Sequence, residues 1–349
     1  MRWLGVRFGA ILDMRFAVVI PVYNVAPYLR ACLDSLLAQA FADWEAICVD
    51  DGSTDGSGAI LDEYAAKDGR FRVLHQANAG VAAARNAGLD AACGDWVVFA
   101  DSDDVMRSRF FEESVEMIAM NPRADVVAMS TMRFDGGRVP EWPPEKLVQR
   151  HVVDISARLT EEVFELQVVS GAYRRESIGD LRFPPLSIGE DRVFVVSFLE
   201  RAKQVVLSDY VGYGYRQRMG SAYHTRWTAE KFQSRLRHHL LIARVIEGSC
   251  KRYETRLRRE FGRDITESMA CDYARLPHAD RLKVWKDWTE AFRKVSRASW
   301  TTCGIRLTTG LVGATQSHVL MWLLCSFVGW LRYHGLNRRL RVVRRTDLL

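Results

Sequence analysis

No two of the seven cysteines (Cys32, Cys48, Cys93, Cys250, Cys271, Cys303 and Cys325) stand at CxxC spacing, which speaks against a zinc site or a disulfide framework. With the first three in apolar or helical contexts, they read as reduced packing residues of a cytosolic protein. Also missing from residues 1–13 are the long apolar region and small-residue cleavage site of an export signal. No export is expected, and the segment before Met14 reads as a frayed extension or an artefact of start-codon choice. No GxGxxG follows the first apolar run and no GxxxxGK[ST] occurs, which disfavours the dinucleotide and P-loop folds. No nucleic-acid-binding motif accompanies the net charge of +6, so no nucleic-acid partner is expected.

What the chain does have is enough length and apolar content, 349 residues and 48% hydrophobic, for one α/β domain with an appendage. Its most telling stretch is Trp96-Val-Val-Phe-Ala-Asp101-Ser-Asp103-Asp104, an apolar run that delivers three carboxylates to its own C-terminal end. Crowded carboxylates repel one another, so they face water or share a cation. Two readings stand side by side: a solvated turn or helix cap, and a divalent metal bridging phosphates at the mouth of a site.

Upstream, the pattern recurs. Phe16 to Ile20 reads as a strand ending in Pro21-Val-Tyr23-Asn24, followed by a helix with Leu29, Cys32, Leu33, Leu36 and Leu37 on one face. Glu45 to Val49 is a strand ending in Asp50-Asp51, then Gly52-Ser-Thr-Asp-Gly-Ser57. A helix over 59–67, a strand over 72–75, a polar loop over 76–80, a helix over 81–92 with Arg85 and Asn86, and a strand over 95–100 complete the unit. Alternating strands and helices call for a parallel sheet with right-handed crossovers, which brings Tyr23, Asp51 and Asp101 to one edge. A Tyr that can stack on a base, a carboxylate for a base N–H or ribose hydroxyl, and paired carboxylates for a metal beside a pyrophosphate describe a nucleoside diphosphate site.

Val19-Ile-Pro21-Val-Tyr23-Asn24, Val49-Asp-Asp51-Gly-Ser-Thr-Asp-Gly-Ser57, Asn78-Ala-Gly80, Ala84-Arg85-Asn86-Ala-Gly88-Leu89 and Phe99-Ala-Asp101-Ser-Asp103-Asp104, in this order and spacing, resemble the bacterial family 2 glycosyltransferases. The resemblance implies an α/β, Rossmann-like GT-A fold, a nucleotide-sugar donor, a divalent metal (Mn or Mg) at the Asp-x-Asp motif, and inversion at the anomeric carbon. It assigns Pro21 and Tyr23 to the uracil side, Asp51 to the base, Asp101 and Asp103 to ribose and metal, and Asp104 to a donor or acceptor sugar. Asp50 reads as structural. Arg85 and Asn86 fall on the nucleotide side without assigned contacts, and a surface helix salt bridge is the other reading of Arg85.

Further along, a helix over 108–120 and a strand over 124–130 continue the pattern, and Phe134 to Gln149, rich in Gly and Pro, reads as a loop or hairpin over the acceptor side. Gly171 to Arg175 resembles a family strand. Gly189-Glu190-Asp191-Arg192 resembles the family's Glu-Asp motif, with Asp191 the expected general base and Glu190 the second choice; the competing reading is two acids favouring a helix N-terminus. After a strand over 205–207, Tyr213-Gly-Tyr-Arg216-Gln-Arg218…Ser221 resembles the segment that closes over the donor, with Arg216 or Arg218 near the diphosphate. His224 reads as an ordinary hydrogen-bonding residue, with the metal shell as its other reading.

The resemblance divides the chain into a GT-A domain over 14–225 (a nucleotide-sugar half over 14–125, an acceptor half over 126–225) and a helical region over 226–349. Leu236, Leu240, Leu241 and Val245 suggest one helix face; 253–269 and 279–296 suggest further helices. The apolar segment Leu311 to Leu331, interrupted by Thr315-Gln-Ser-His318 and followed by an Arg-rich tail, reads as a helix on the inner-membrane surface or as a bundle helix with a solvated basic end. The expected protein is an inverting, metal-dependent transferase acting from the cytoplasm, peripheral on the inner membrane in the first of those readings. It moves a sugar from a UDP-linked donor to a surface or lipid-linked glycan. Two alternatives stay open: a nucleotide-binding scaffold at the membrane, and a nucleotidyltransferase.

Overall fold

Every residue of Phe16–Val22 (β1), Trp44–Asp50 (β2) and Trp96–Phe99 (β4) is buried, the pattern of strands covered on both faces. The computed structural model describes residues 14–136, 139, 141–144, 147–164, 166–218, 227–249, 251–253 and 269–296. Helices Ala26–Leu37 (α1), Ser57–Lys67 (α2) and Val81–Ala91 (α3) link β1, β2, Phe71–His75 (β3) and β4, in the alternation the sequence predicts. β1 pairs in parallel with β2 on one side and β4 on the other, and β2 with β3. The chain steps outward from β1 to β2 and β3, then returns across β1 to place β4. Strand order therefore reverses at β1, and a crevice opens beyond the C-terminal ends of β1 and β4, where such sheets bind ligands.

Pro21 lies within β1, although the sequence suggests the strand stops at Ile20. The pairing explains why it is tolerated. Val19 is the last β1 residue in register with β4, opposite Phe99, whereas Val22 accepts a hydrogen bond from the Asp51 amide on the β2 side. A residue two beyond Val19 faces where the β4 ladder has ended, so its missing N–H costs no sheet bond.

Beyond β4 the sheet becomes mixed. Val105–Met106 (β5), Phe110–Met120 (α4) and Val126–Asp135 (β6) follow, then Arg150–Asp154 (β7), Arg158–Leu159 (β8), the short helix Glu161–Phe164 (α5), Gly171–Arg174 (β9) and Arg175–Ile178 (α6). Glu190–Arg201 (α7) and Gln204–Gln217 (β10) complete this part. β9 runs antiparallel between β4 and β6, and β10 is parallel to β6 and antiparallel to β7 and β5. Two expectations are corrected here. β6 continues through Phe134 and Asp135, where the sequence suggested a loop, because the Phe134 side chain is buried. The strand expected at 205–207 and the Tyr213 segment form one strand, β10; its polar Ser208-Asp209 marks a register shift, not an end.

α3 packs close to the sheet at Gly88, where an added Cβ would lie 2.5 Å from Val19 Cγ1 and 3.3 Å from Val49 Cγ2. Both valines are fully buried and stiff at χ1, so neither side chain swings away. Gly88→Ala is expected to destabilise the protein by about 1–3 kcal/mol of overpacking, less the ~1 kcal/mol that Ala gains in helix propensity. A urea unfolding midpoint unchanged or raised in this variant would show that α3 can back away.

Contacts divide the chain into two units, Met1–His224 with Gly248–Arg252, and Thr225–Glu247 with Tyr253–Leu349. In the first, the Lys251 ammonium donates to the carbonyls of Leu199 and Ala202 (2.6 Å to the latter), closing the C-terminal end of α7. In the second, Ala229–Gly248 (α8) buries Phe232, Leu236, His239, Ala243 and Ile246, so the buried stripe takes Leu236 but leaves Leu240, Leu241 and Val245 on its flanks. Phe232 meets Tyr273 and Trp288, from helices Met269–Arg275 and His278–Ser296, at 5.9 and 5.5 Å. Tyr253, expected to open a helix, sits in the short strand Arg252–Tyr253. His224, residues 1–13, the remainder of 254–268 and the 311–331 segment lie outside the described residues. Among the described residues no helix is long and apolar enough to cross a membrane.

Candidate active site

Tyr23 follows β1 directly and is 49% exposed, a flat apolar face at the lip of the crevice. Its position is held by Asn24, which adopts a left-handed φ of 50°, a conformation that Asn tolerates better than most residues. The Asn24 amide donates to Ser53 Oγ at 3.1 Å, and Asn24 Oδ1 accepts from the Thr54 amide at 2.8 Å. The Gly52–Ser57 loop serves α1 as well: Asp55 accepts from the Ala26 amide and Ser57 Oγ from the Val25 amide. Side chains of a distant loop thus satisfy amides at a helix start that has no cap of its own. The Gly-Ser-Thr-Asp-Gly-Ser run is a brace for Tyr23 and α1.

Asp50 and Asp51 point to different tasks. Asp50 is buried and accepts from the Ser53 amide at 3.0 Å while facing His75 Nδ1 at 3.0 Å. Burial pushes its carboxyl up, but the Ser53 and His75 hydrogen bonds outweigh that and hold it below its ordinary value. His75 Nε2 meets Asp62 at 3.0 Å, and the hydrogen bonds to Asp62 and Asp50 raise the imidazole pKa. A His raised in the folded state stabilises fully below its unfolded pKa of about 6.5, and the contribution disappears as pH climbs through the folded value. Wild type should therefore gain stability over His75→Gln as pH falls from about 8 to about 6, by under ~1 kcal/mol because the ring is half exposed. Parallel melting curves at the two pH values check this, and an opposite slope would refute the ion-pair reading.

Asp51, expected to meet a base, is buried. Its Oδ1 accepts from Gln76 Nε2 at 2.7 Å and from the Ala79 amide at 2.9 Å, and its Oδ2 from the Gly80 amide at 2.8 Å. Gly80, at φ +89°, turns that loop into the start of α3. Asp51 therefore shapes the 76–80 loop beside Tyr23.

The three carboxylates after β4 separate in the same way. Asp101 is 30% exposed by side chain, Asp103 18%, and Asp104 only 1% as a residue. Asp104 accepts from Tyr213 Oη at 2.8 Å and from the Arg216 amide at 2.7 Å, while the Asp101 amide donates to Tyr213 Oη at 3.0 Å. Burial, then the charges of Asp101 and Asp103, push the Asp104 carboxyl up to about 9. Asp104 is the foundation of the turn, with its carboxylate bonded to Tyr213 and the Arg216 amide. Tyr213 carries no role in the sequence reading, and the tyrosine content of its stretch is the signal that points to it. Beneath the turn, Cys32 Sγ lies 3.6 Å from the Asp101 carbonyl, and burial drives its thiol pKa well above the ordinary value.

Asp101 and Asp103 remain as the pair at the mouth. Burial and the neighbouring Asp101 charge push the Asp103 carboxyl up, against Arg218, which pairs with its Oδ2. Two carboxylates of one short turn, both part-exposed, fit a hard divalent cation that takes one or two carboxylates plus substrate oxygens. Among the described residues no third His, Cys, Asp or Glu joins them. Of the two arginines expected near a diphosphate, Arg216 is buried: its Nε donates to the Asp103 carbonyl at 2.6 Å, its Nη1 to the Gly136 carbonyl at 2.5 Å, and Phe134 and Tyr28 flank it at 4.6 and 5.1 Å. It is a strut under the turn. Arg218, one quarter exposed, keeps its charge at the mouth.

Across the crevice, α7 starts with Glu190 and Asp191. Glu190 is buried and accepts from Arg85 Nη1 at 2.6 Å, and Arg85 Nη2 reaches Asp101 at 2.7 Å. Burial works against the Arg85 charge, but Asp101, Glu190 and Asp191 together hold its pKa above the ordinary value. Burial pushes the Glu190 carboxyl up while Arg85 pulls it down. Arg85 is thus a buried bridge, not a surface salt bridge. Beside it, the two side-chain ends of Asn86 bond the backbone of Phe183 at 2.8 and 2.9 Å. Asp191 is half-buried and lines a cleft of about 180 Å³ with Leu166, Gln167, Val168, Arg192 and Val195. The arrangement offers an apolar platform, a carboxylate pair suited to a cation, an arginine, Arg218, paired with one of those carboxylates, and a separate carboxylate lining a cleft.

Comparison with known proteins bears on this geometry. The model of the Glycosyl transferase family 2 family matches residues 17–182. "Uncharacterized glycosyltransferase EpsJ" of Bacillus subtilis is 35% identical over 215 residues, 59% of this chain and 62% of that protein, so the match spans under two thirds of the relative. "Glycosyltransferase GlyG" of Streptococcus pneumoniae is 30% identical over 60% of this chain and 73% of its own length. Among solved structures, S. aureus TarS in complex with UDP superposes with a TM-score of 0.69 at 21% identity, covering 92% of both chains.

Proposed function

The chain belongs to glycosyl transferase family 2, and we propose that it transfers a sugar with inversion from a UDP-linked donor to a surface glycan or lipid-linked acceptor. The observation that supports this reading is that Asp101 and Asp103 follow β4 beside the strand-order reversal, next to the β1 end that carries Tyr23, and that Arg85 joins Asp101 to Glu190, the neighbour of Asp191. TarS, of the same fold, is known with UDP, which supports the choice of nucleotide.

In the proposed reaction Tyr23 stacks on the uracil, and Asp51 acts through the 76–80 loop that it shapes. Asp101 and Asp103 would hold a divalent cation, whose charge would stabilise the leaving diphosphate. Arg218 turns from Asp103 toward the same phosphates and adds a second positive charge. Asp191 accepts the proton of the acceptor hydroxyl as that oxygen attacks the anomeric carbon from the face opposite the diphosphate. Acceptor specificity is placed in the cleft beside Asp191 and in the 134–149 excursion, and the Arg-rich C-terminal segment is assigned to an anionic membrane surface.

A panel of nucleotides and nucleotide sugars, screened by thermal shift with and without manganese, tests the donor class. A manganese-dependent rise in melting temperature with UDP and one UDP-sugar is expected, since a ligand bound only by the native state stabilises it. Metal-independent shifts, or shifts confined to other nucleotides, would overturn the donor assignment.

A further inference from the structure

Arg85 and Asn86 are adjacent on α3, yet both reach out of the nucleotide half. Arg85 is 4% exposed, and its guanidinium spans Asp101, sixteen residues away, and Glu190, 105 residues away. Asn86 grips the backbone of Phe183 from both ends. The Phe183 ring lies 5.4 Å from the Arg85 guanidinium and stacks on Phe194 of α7 at 4.1 Å with an interplanar angle of 5°. α7 is therefore fastened to α3 at two points: its first turn through Glu190 and its second through Phe194. The support itself is stiff, because α3 lies against Val19 and Val49 of the sheet at Gly88.

We infer that Arg85 is a positioning residue that ties the first turn of α7 to Asp101, with Glu190 as its counter-ion and not a proton acceptor. This inference rests on the glycosyl-transfer reading of Asp101 and Asp191. Three observations carry it. Glu190 has its carboxylate committed to a guanidinium at 2.6 Å and almost no exposure, whereas a base must reach an acceptor hydroxyl. Arg85 is closed off from a ligand by Phe183, so its charge acts through the two carboxylates it joins. The guanidinium directs Nη1 to Glu190 and Nη2 to Asp101 from one rigid plane, a fixed register that a lysine ammonium on a flexible stem does not impose. The bridge sets the separation between the donor-side carboxylate and the helix that carries Asp191, and transfer is sensitive to that separation.

The test is a double-variant cycle of Arg85→Lys and Glu190→Gln, read by hydrolysis of UDP-GlcNAc with manganese and by hydrogen exchange of the α7 amides. Arg85→Lys is expected to lower kcat on the order of 100-fold with the donor KM within about threefold. The double variant should match Arg85→Lys alone, because Glu190 acts only through Arg85. A double variant slower by the full product of the two single effects would overturn the inference, giving Glu190 its own role. Amides of Asp191–Val193 should exchange faster in each single variant while those of β1 stay unchanged; unaltered exchange in α7 would also overturn it. Glu190→Gln preserves side-chain size and keeps the exchange experiment decisive if Arg85→Lys does not fold. If wild type hydrolyses no nucleotide sugar, the transfer reading fails by itself, and the exchange result still decides whether Arg85 holds α7.

Discussion

Asp103→Asn should lose turnover by on the order of a thousandfold and lose manganese-dependent UDP binding with it. The substitution keeps the shape of the side chain, and Asp104, Tyr213 and Arg216 support the turn independently, so the fold survives. What disappears is one of the two negative charges at the mouth, and a cation that stabilises a leaving diphosphate is worth several kcal/mol there. The charge of Arg218 is left without its partner, so nucleotide binding without metal should change little or improve. Isothermal titration with UDP, with and without manganese, separates the two. Turnover near that of wild type would remove the metal role from Asp103.

Asp191→Asn is expected to behave in the opposite sense. Its Oδ1 accepts from the Arg192 amide at 2.7 Å, a bond that an amide oxygen can keep, so the first turn of α7 retains its shape. The lost capacity is proton acceptance, commonly worth about 10²–10⁴ in rate. Donor binding and its metal dependence should stay as in wild type, because Asp191 lines a cleft with Leu166, Gln167 and Val168 and not with Asp101 or Asp103. Transfer measured with the native acceptor, beside a donor titration, gives both numbers. A variant retaining full transfer would return the base to another group, and one that failed to bind UDP would place Asp191 on the donor side.

The contrast between the two carboxylates also shows what local sequence can reveal. β1, β2 and β4 were readable because apolar runs without alternation have few structural options, and the alternation with helices fixed a parallel arrangement. The ends of those strands therefore came together as read. The sequence suggests a strand only over 205–207, and the pairing with β6 shows that it runs on through a register shift after Ser208. Within the site, exposure was the invisible quantity. Asp101, Asp103 and Asp104 are chemically alike, and nothing local says that Tyr213, more than a hundred residues later, will close over the last of them. Arg216 and Arg218 likewise differ only by which reaches the Gly136 carbonyl and which stays at the mouth. Arg85 had the type of a surface helix cation, and its partner Glu190 lies too far along the chain for any spacing rule to connect them.

The thiol beneath Asp101 has a practical consequence. Cys32 is buried with its Sγ against the carbonyl of the very residue that opens the acidic turn, and its raised pKa keeps it in the unreactive thiol form. Alkylating reagents can reach it only when α1 and the turn part from one another. Cys93, exposed at the other end of α3, reacts without any such opening and supplies an internal standard in the same sample. The ratio of label at the two positions, followed by peptide mass analysis, is then a built-in stopwatch for breathing of the donor-side floor.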